Sequence, residues 1–428
     1  MATRKLISSL FVGIWLAFLL ADCSSFPRKS FTREQQDVAG IPGIADARIW
    51  ADDPTGLSRT APFSDGQRKP TSFDVLALSG GGAEGAFGAG LLVGWTQAGN
   101  RPEFSVVSGT SSGALIAPFA FLGASHDPIL KDLFTSGIAE TLLRVDGLNA
   151  IFGSGVFKTE PLKLLIAHYV DEDLLHLVAA QHRLGRRLFI VTTNIDAQRT
   201  AVWNMGAIAA SDYSGRLQLF RDILVASASA PGLFAPAYIE VQAGNARFQE
   251  MHVDGAVTSN VLAVPESVLL QKVAFTHAPK PKLYIIVNGK ISPDFAVIGD
   301  GALSIVARSF FSTVKANTRN TLIATYDFAR RNGCQFRLAA IPPDYAMIST
   351  TFNFETDYMR RLFNLGFSVG RTGQQWQSSL KALVASPASE SKDLNSAGSK
   401  TYGFYSQASA RVRAGDHDGA CCSQVSAR

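Results

Sequence analysis

From Phe73 the chain alternates short apolar runs with segments of helical character. "FDVLALS" reads as a buried strand, and "AEGAFGAGLLVGWTQAG" as a Gly- and Ala-rich helix able to pack closely on a sheet. "EFSVVSG" reads as a second strand and "SGALIAPFAFLG" as a second helix. Strand and helix alternating at this spacing require crossover connections, which specify βαβ units and a parallel sheet. Further along, residues 158 to 184 read as helix, "RRLFIVTTNID" as a third buried strand, and "AVWNMG" as a continuation in β character. "LQLFRDILVASASA" is an amphipathic helix stopped by Pro231, and "AYIEVQ" and "ARFQEMHVDG" join across Ala243-Gly244-Asn245 as a β-hairpin. "KLYIIVN" and "QFRLAAI" are expected strands, flanking a long helix over 300–331, and 355–384 a last helix. No internal repeat is visible. The expected fold is a three-layer α/β/α domain with a mostly parallel central sheet, spanning residues 71–385.

The two ends read differently. "MATRK" is basic and Leu6 to Ala21 almost uninterruptedly apolar, the pattern of an export signal over residues 1–22. "LLADCSS" resembles a bacterial lipoprotein signal, which implies lipidation of Cys23; Asp22 departs from the small residue that signal prefers. The expected location is the bacterial cell envelope, as an outer-membrane lipoprotein, with Ser24 fitting that sorting. Ordinary cleavage to a periplasmic or secreted form, or an uncleaved anchor, is the alternative. Residues 23–70 are rich in Pro, Asp, Arg and Ser and read as a tether and lead-in, whereas 386–428 is Ser-, Ala-, Gly- and Lys-rich and expected to be disordered. The whole is 46% hydrophobic and 18% charged, which excludes global disorder. A net charge of +5 without a Lys/Arg stripe interleaved with aromatics makes nucleic acid an unexpected partner. The four cysteines, Cys23, Cys334, Cys421 and Cys422, have neither disulfide-framework nor metal-ligand spacing.

Two glycine-bearing stretches sit where a strand meets a helix. In "LSGGGAEGAFGAG", Gly80, Gly82 and Gly85 satisfy G-x-G-x-x-G. A dinucleotide site also wants an acidic residue about 20 residues on, at the end of the second strand. Glu103 lies before that strand, so the dinucleotide reading fails. Close packing accounts for Gly88 and Gly90 but poorly for three glycines in succession. Consecutive glycines at a helix start let backbone N–H groups converge on an anion, as an oxyanion hole requires. The second stretch is Gly109-Thr110-Ser111-Ser112-Gly113, preceded by "FSVVS" and followed by "ALIAPFAFL". Ser and Gly are ordinary turn residues, yet this is also the strand-to-helix context of a nucleophile elbow, with Ser111 central.

A serine hydroxyl near its solution pKa needs a base. His168, His176 and His182 fall in a predicted helix and His417 in the tail, leaving His277 in "THAPKPK" as the one fair candidate for a Ser-His-Asp triad. "HVDGAVTSN" instead ends a strand with Asp254-Gly255-Ala256, placing a carboxylate at the mouth of the sheet. Alone, Asp-Gly is more often a turn than a base.

In this order, G-G-G-x-x-G, G-x-S-x-G and D-G-A resemble the patatin-like phospholipase family, over roughly residues 72–270. "ASASAPGLFAP" (226–236) is similar to that family's Pro-containing segment, and "TTNIDAQRTAVWNMG" to its middle strand pair. The resemblance implies a lipid acyl hydrolase acting on phospholipid or other acyl-ester lipid at a membrane surface, without metal or cofactor. Ser111 would be the nucleophile, Asp254 the general base, and the backbone N–H groups of Gly80, Gly81 and Gly82 the oxyanion donors. Gly85, Gly109, Gly113, Gly255 and Ala256 would support the motifs. One departure is Glu84, where the family often carries Arg or Lys; as an anion it would complement the helix start but not an oxyanion. "FNF" (352–354) and "RLFNLGF" (361–367) are candidates for an acyl groove, with core packing the better expectation. The rivals are an esterase using His277 and a membrane-tethered binding protein that keeps the fold without activity.

Overall fold

Strands form where apolar runs are continuous, and the sheet built from them is buried on both faces. The computed structural model describes residues 28–63, 71–142, 158–273, 280–347, 354–373 and 376–380. In chain order the strands are β1 (Arg48–Trp50), β2 (Asp74–Leu78), β3 (Val106–Thr110), β4 (Arg187–Asn194), β5 (Arg199–Asn204), β6 (Ala237–Ala243), β7 (Ala246–Asp254), β8 (Lys282–Val287) and β9 (Gln335–Ala340). The longer helices are α1 (Gly85–Gln97), α2 (Ser112–Leu122), α3 (Asp127–Thr135), α4 (Thr159–Tyr169), α5 (Glu172–Arg183), α6 (Arg216–Ala228), α7 (Ala302–Asn332) and α8 (Thr356–Thr372). They form a three-layer α/β/α sandwich.

Across the sheet the order is β1-β5-β4-β3-β2-β8-β9. From β4 to β9 the neighbours are parallel; β5 and β1 add antiparallel strands at the other edge. Strand β2 shows how the layers are divided. Its Leu76 and Leu78 enter the larger core with Phe87 and Leu91 of α1, whereas Val75 and Ala77 enter a second core with Leu322 and Phe328 of α7. That is the period-two alternation of a strand covered on both sides.

One feature of the register places the site. Strand β3 ends at Thr110, opposite Val191 of β4. The next residue of β4, Thr192, is opposite Asp254, the last residue of β7, which approaches from the other direction. Strands β3 and β7 therefore meet end to end along one side of β4. Ser111 and Asp254 are brought to that junction.

Helix α8 packs on α1 backbone to backbone. A Cβ at Gly90 would overlap the Phe363 carbonyl, and one at Gly366 the Phe87 carbonyl; Gly94 and Gly370 repeat the pattern one turn on. Gly366→Val is expected to lower stability by about 3 kcal/mol or more, because overpacking against two backbones cannot relax by rotamer changes. Thermal unfolding against wild type measures it.

Three expectations are corrected. Residues 28–63 are not a tether: β1 pairs with β5, and Ile41, Ile44, Ala47, Ile49 and Trp50 are buried. The buried Arg48–Glu250 ion pair and the bond from Arg28 to Asp196 at 2.7 Å fasten this segment to the sheet. The helix expected over 158–184 is two, α4 and α5, broken where Asp171 turns to cap Leu174 N–H at 2.9 Å. The last helix stops at Thr372, before Gly373 in the left-handed region at φ 72°. Residues 1–22, Cys23, His277 and 386–428 lie outside the described residues. No described helix is long and apolar enough to cross a membrane.

Candidate active site

Ser111 stands between the last residue of β3 and the first of α2, with φ 55° and ψ −125°. Non-glycine residues rarely adopt this region, and it persists only where the surroundings enforce it. Here they do. The Ser111 N–H donates to Ser227 Oγ at 3.0 Å, and Ser227 Oγ donates to the Val191 carbonyl at 2.7 Å. The Ser111 carbonyl accepts from Ala114 N–H at 2.8 Å, opening α2. Glycines make the bend fit: a Cβ at Gly109 would overlap the Gly113 carbonyl, and one at Gly113 the Leu78 carbonyl.

Asp254 is buried at the end of β7. Its Oδ1 accepts from Ala256 N–H at 2.8 Å, while its own N–H donates to the Ser229 carbonyl at 2.9 Å. Burial pushes its carboxyl up to about 7, against the pull of the Ala256 N–H and the Ser111 hydroxyl, which favour the anion. Gly255 is required because a Cβ there would press on the Val191 carbonyl.

The glycine loop borders the same space, but its three amides are not equivalent. Gly80 N–H donates to Asn260 Oδ1 at 3.0 Å and is thereby committed within the fold, which corrects its expected place among the oxyanion donors. The N–H groups of Gly81 and Gly82 have no acceptor among the described residues. Asn288 holds the loop from the other side: its Nδ2 donates to the Ser79 carbonyl at 2.7 Å and its Oδ1 accepts from Gly88 N–H at 3.1 Å. Asn288 touches Gly81 so closely that a Cβ there would overlap its carbonyl. A Cβ at Gly85 would crowd Ser112.

Glu84 precedes α1, is buried, and makes no capping bond with its side chain. Burial raises its carboxyl to about 8, with Lys315 opposing and Asp294 adding to the rise. Below that pH it is a neutral acid rather than the anion expected from sequence.

Ser111, Asp254, Gly81, Gly82 and Glu84 all line one cavity of about 450 Å³. Leu115, Phe134, Leu162, Leu165, Phe311 and Met359 make much of its wall apolar. Phe354 lines it too, whereas Leu362 and Phe363 of the second aromatic stretch are core. Among the described residues no histidine lines the cavity. His252 is buried instead between Thr192 Oγ1 at 2.9 Å and Glu250 Oε2 at 3.1 Å.

Sequence reasoning missed Ser227, Asn260 and Asn288. Ser227 lies in the quoted "ASASAPGLFAP", Asn260 follows the end of β7 by six residues and Asn288 directly follows β8, positions with no signature of their own.

Fold and site together are those of a hydrolase built on a mostly parallel α/β sheet, its functional groups at the carboxyl ends of the strands. More particularly, residues 76–266 match the model of the patatin-like phospholipase family. Among solved structures, VipD from Legionella pneumophila is 12% identical with a TM-score of 0.36, covering 74% of this chain and 70% of that one. The type III effector protein ExoU is 13% identical with a TM-score of 0.26, covering 71% of this chain. The match spans about half of ExoU, 54%. At these scores the likenesses bear on neither mechanism nor substrate. No curated protein matches the chain.

Proposed function

We propose that the protein is a carboxylic-ester hydrolase of phospholipase A, lysophospholipase or esterase type, using Ser111 and Asp254 as a dyad through an acyl-enzyme. The carrying observation is a serine held at φ 55° beside a buried carboxylate, both opening into an apolar cavity. Ser111 Oγ attacks the ester carbonyl carbon as its proton passes to the Asp254 carboxylate. The tetrahedral oxyanion is held by the Gly81 and Gly82 N–H groups. Collapse breaks the bond to the alcohol, which leaves with the proton from Asp254. Water then attacks the acyl carbon, giving its proton to Asp254, and Ser111 departs from the fatty acid with that proton. The apolar wall suits an acyl chain.

A fluorophosphonate probe tests the nucleophile directly. Wild-type and Ser112→Ala protein are expected to label, and Ser111→Ala not to label. Wild type that fails to label, and fails to hydrolyse soluble esters or lipids, would instead be a binding protein with this fold.

A further inference from the structure

Between β8 and the second turn of α7, large apolar side chains stand in solvent. Phe295 is 95% exposed and Val297 88%, and Ile298, Ile305 and Val306 are exposed beside them in sequence. One such residue is ordinary; five within residues 295–306 form a patch. The segment is tied down. The Arg308 guanidinium donates to the Asp294 carbonyl, and Lys315 Nζ reaches the Asp294 carboxylate at 2.5 Å and the Ser292 carbonyl at 3.0 Å.

The residues just before and just after this patch in sequence line the cavity. Ile291, Pro293 and Asp294 line it from the stretch after β8, as does Lys290, and Arg308, Lys315 and Arg319 line it from α7. Four cations thus line the cavity, and two of them, Lys290 at 3.7 Å and Lys315 at 2.5 Å, pair with Asp294. Apolar side chains in water, flanked in sequence by cations that line an apolar cavity, complement one kind of surface: a lipid leaflet bearing anionic headgroups.

We propose that Phe295, Val297, Ile298, Ile305 and Val306 form a lipid-docking face that enters an anionic bilayer, with Arg308 and Lys315 meeting headgroup phosphates. This rests on the acyl-hydrolase reading and deepens it: the substrate is an anionic phospholipid presented in a membrane. The docked leaflet sits over the opening, so an acyl chain passes into the cavity without crossing water.

The run Leu6–Ala21 is apolar enough to hold a chain to vesicles by itself, so pelleting is the wrong readout. In full-length Ser111→Ala protein, which leaves lipid intact, Phe295→Trp reports insertion at the patch. Its added fluorescence is expected to be quenched by vesicles of bromo-acyl phosphatidylglycerol in phosphatidylcholine. Quenching should weaken at least tenfold in about 0.5 M salt or with phosphatidylcholine alone. With Ser111 restored, Phe295→Asp/Val297→Asp should lose at least tenfold in phosphatidylglycerol vesicle hydrolysis and keep wild-type turnover of a soluble aryl ester. Added indole fluorescence that stays unquenched in the Phe295→Trp protein, or a double variant that hydrolyses vesicles like wild type, overturns the docking face. Equal quenching by phosphatidylcholine overturns the anionic assignment. A double variant altered only in oligomeric state would make the patch an interface between copies. If wild type hydrolyses neither substrate, the Ser111 reading falls while the quenching result still judges the docking face.

Discussion

Ser111→Ala is expected to reduce soluble-ester turnover by at least about 10⁴-fold, to the residual catalysis left by binding and the oxyanion donors. In the proposed mechanism this hydroxyl forms the acyl bond. Thermal stability should stay within about 1 kcal/mol of wild type, since the change opens no apolar void. The strained backbone is held by the Ser111 amide and carbonyl, through Ser227 and Ala114, which the substitution leaves in place. Ser112→Ala is the control. Its hydroxyl is buried without a partner, so its removal should keep most activity and cost no stability. Equal loss in the two variants would sink the elbow assignment.

Asp254→Asn should be as damaging to turnover, with the opposite consequence for the fold. A base must be ionised, so wild-type activity is expected to fall as pH drops through about 7, the value to which burial raises this carboxyl. Stability runs the other way. Between the ordinary carboxylate pKa near 4 and the native value near 7, the folded protein holds a proton that the unfolded chain has released. Stability therefore declines as pH rises through that window, on the order of 4 kcal/mol in all for this group. Glu84, raised to about 8, extends the decline in the same direction. Asparagine keeps the acceptor for Ala256 N–H and carries no charge. Asp254→Asn should then unfold at a higher temperature than wild type at pH 8, nearly match it at pH 4, and remain inactive throughout. Rate profiles and thermal melts across this range measure both. An active Asp254→Asn with a dead His277→Ala would replace the dyad with a histidine-containing esterase.

Much of this was legible in sequence because the chemistry sits at punctuation. Gly109, Ser111, Gly113 and Asp254 lie where an apolar run stops, and it is their occurrence together, in this order, that separates them from ordinary turns. The segment over 28–63 was not legible: Ile49 and Trp50 are too few to show a period among Asp, Pro and Arg, and β1 is specified by its partner β5. The commitment of Gly80 N–H was hidden for a similar reason. Asn260 is remote in sequence, and no local pattern announces a side chain that will consume a distant amide.

The end-to-end meeting of β3 and β7 also bears on how the protein is made. At about 5–20 residues per second, Asp254 is synthesised roughly 7–30 s after Ser111. Until then β4 is paired with β5 at Thr192 but open on the side it shares with β3, and the serine lacks its proposed base. A nascent chain that has completed β2, β3 and β4 holds the nucleophile's strand and the glycine loop, yet is not armed against the lipids it passes. On the proposed dyad, a product that ends before β7 lacks the base and is expected to be inactive.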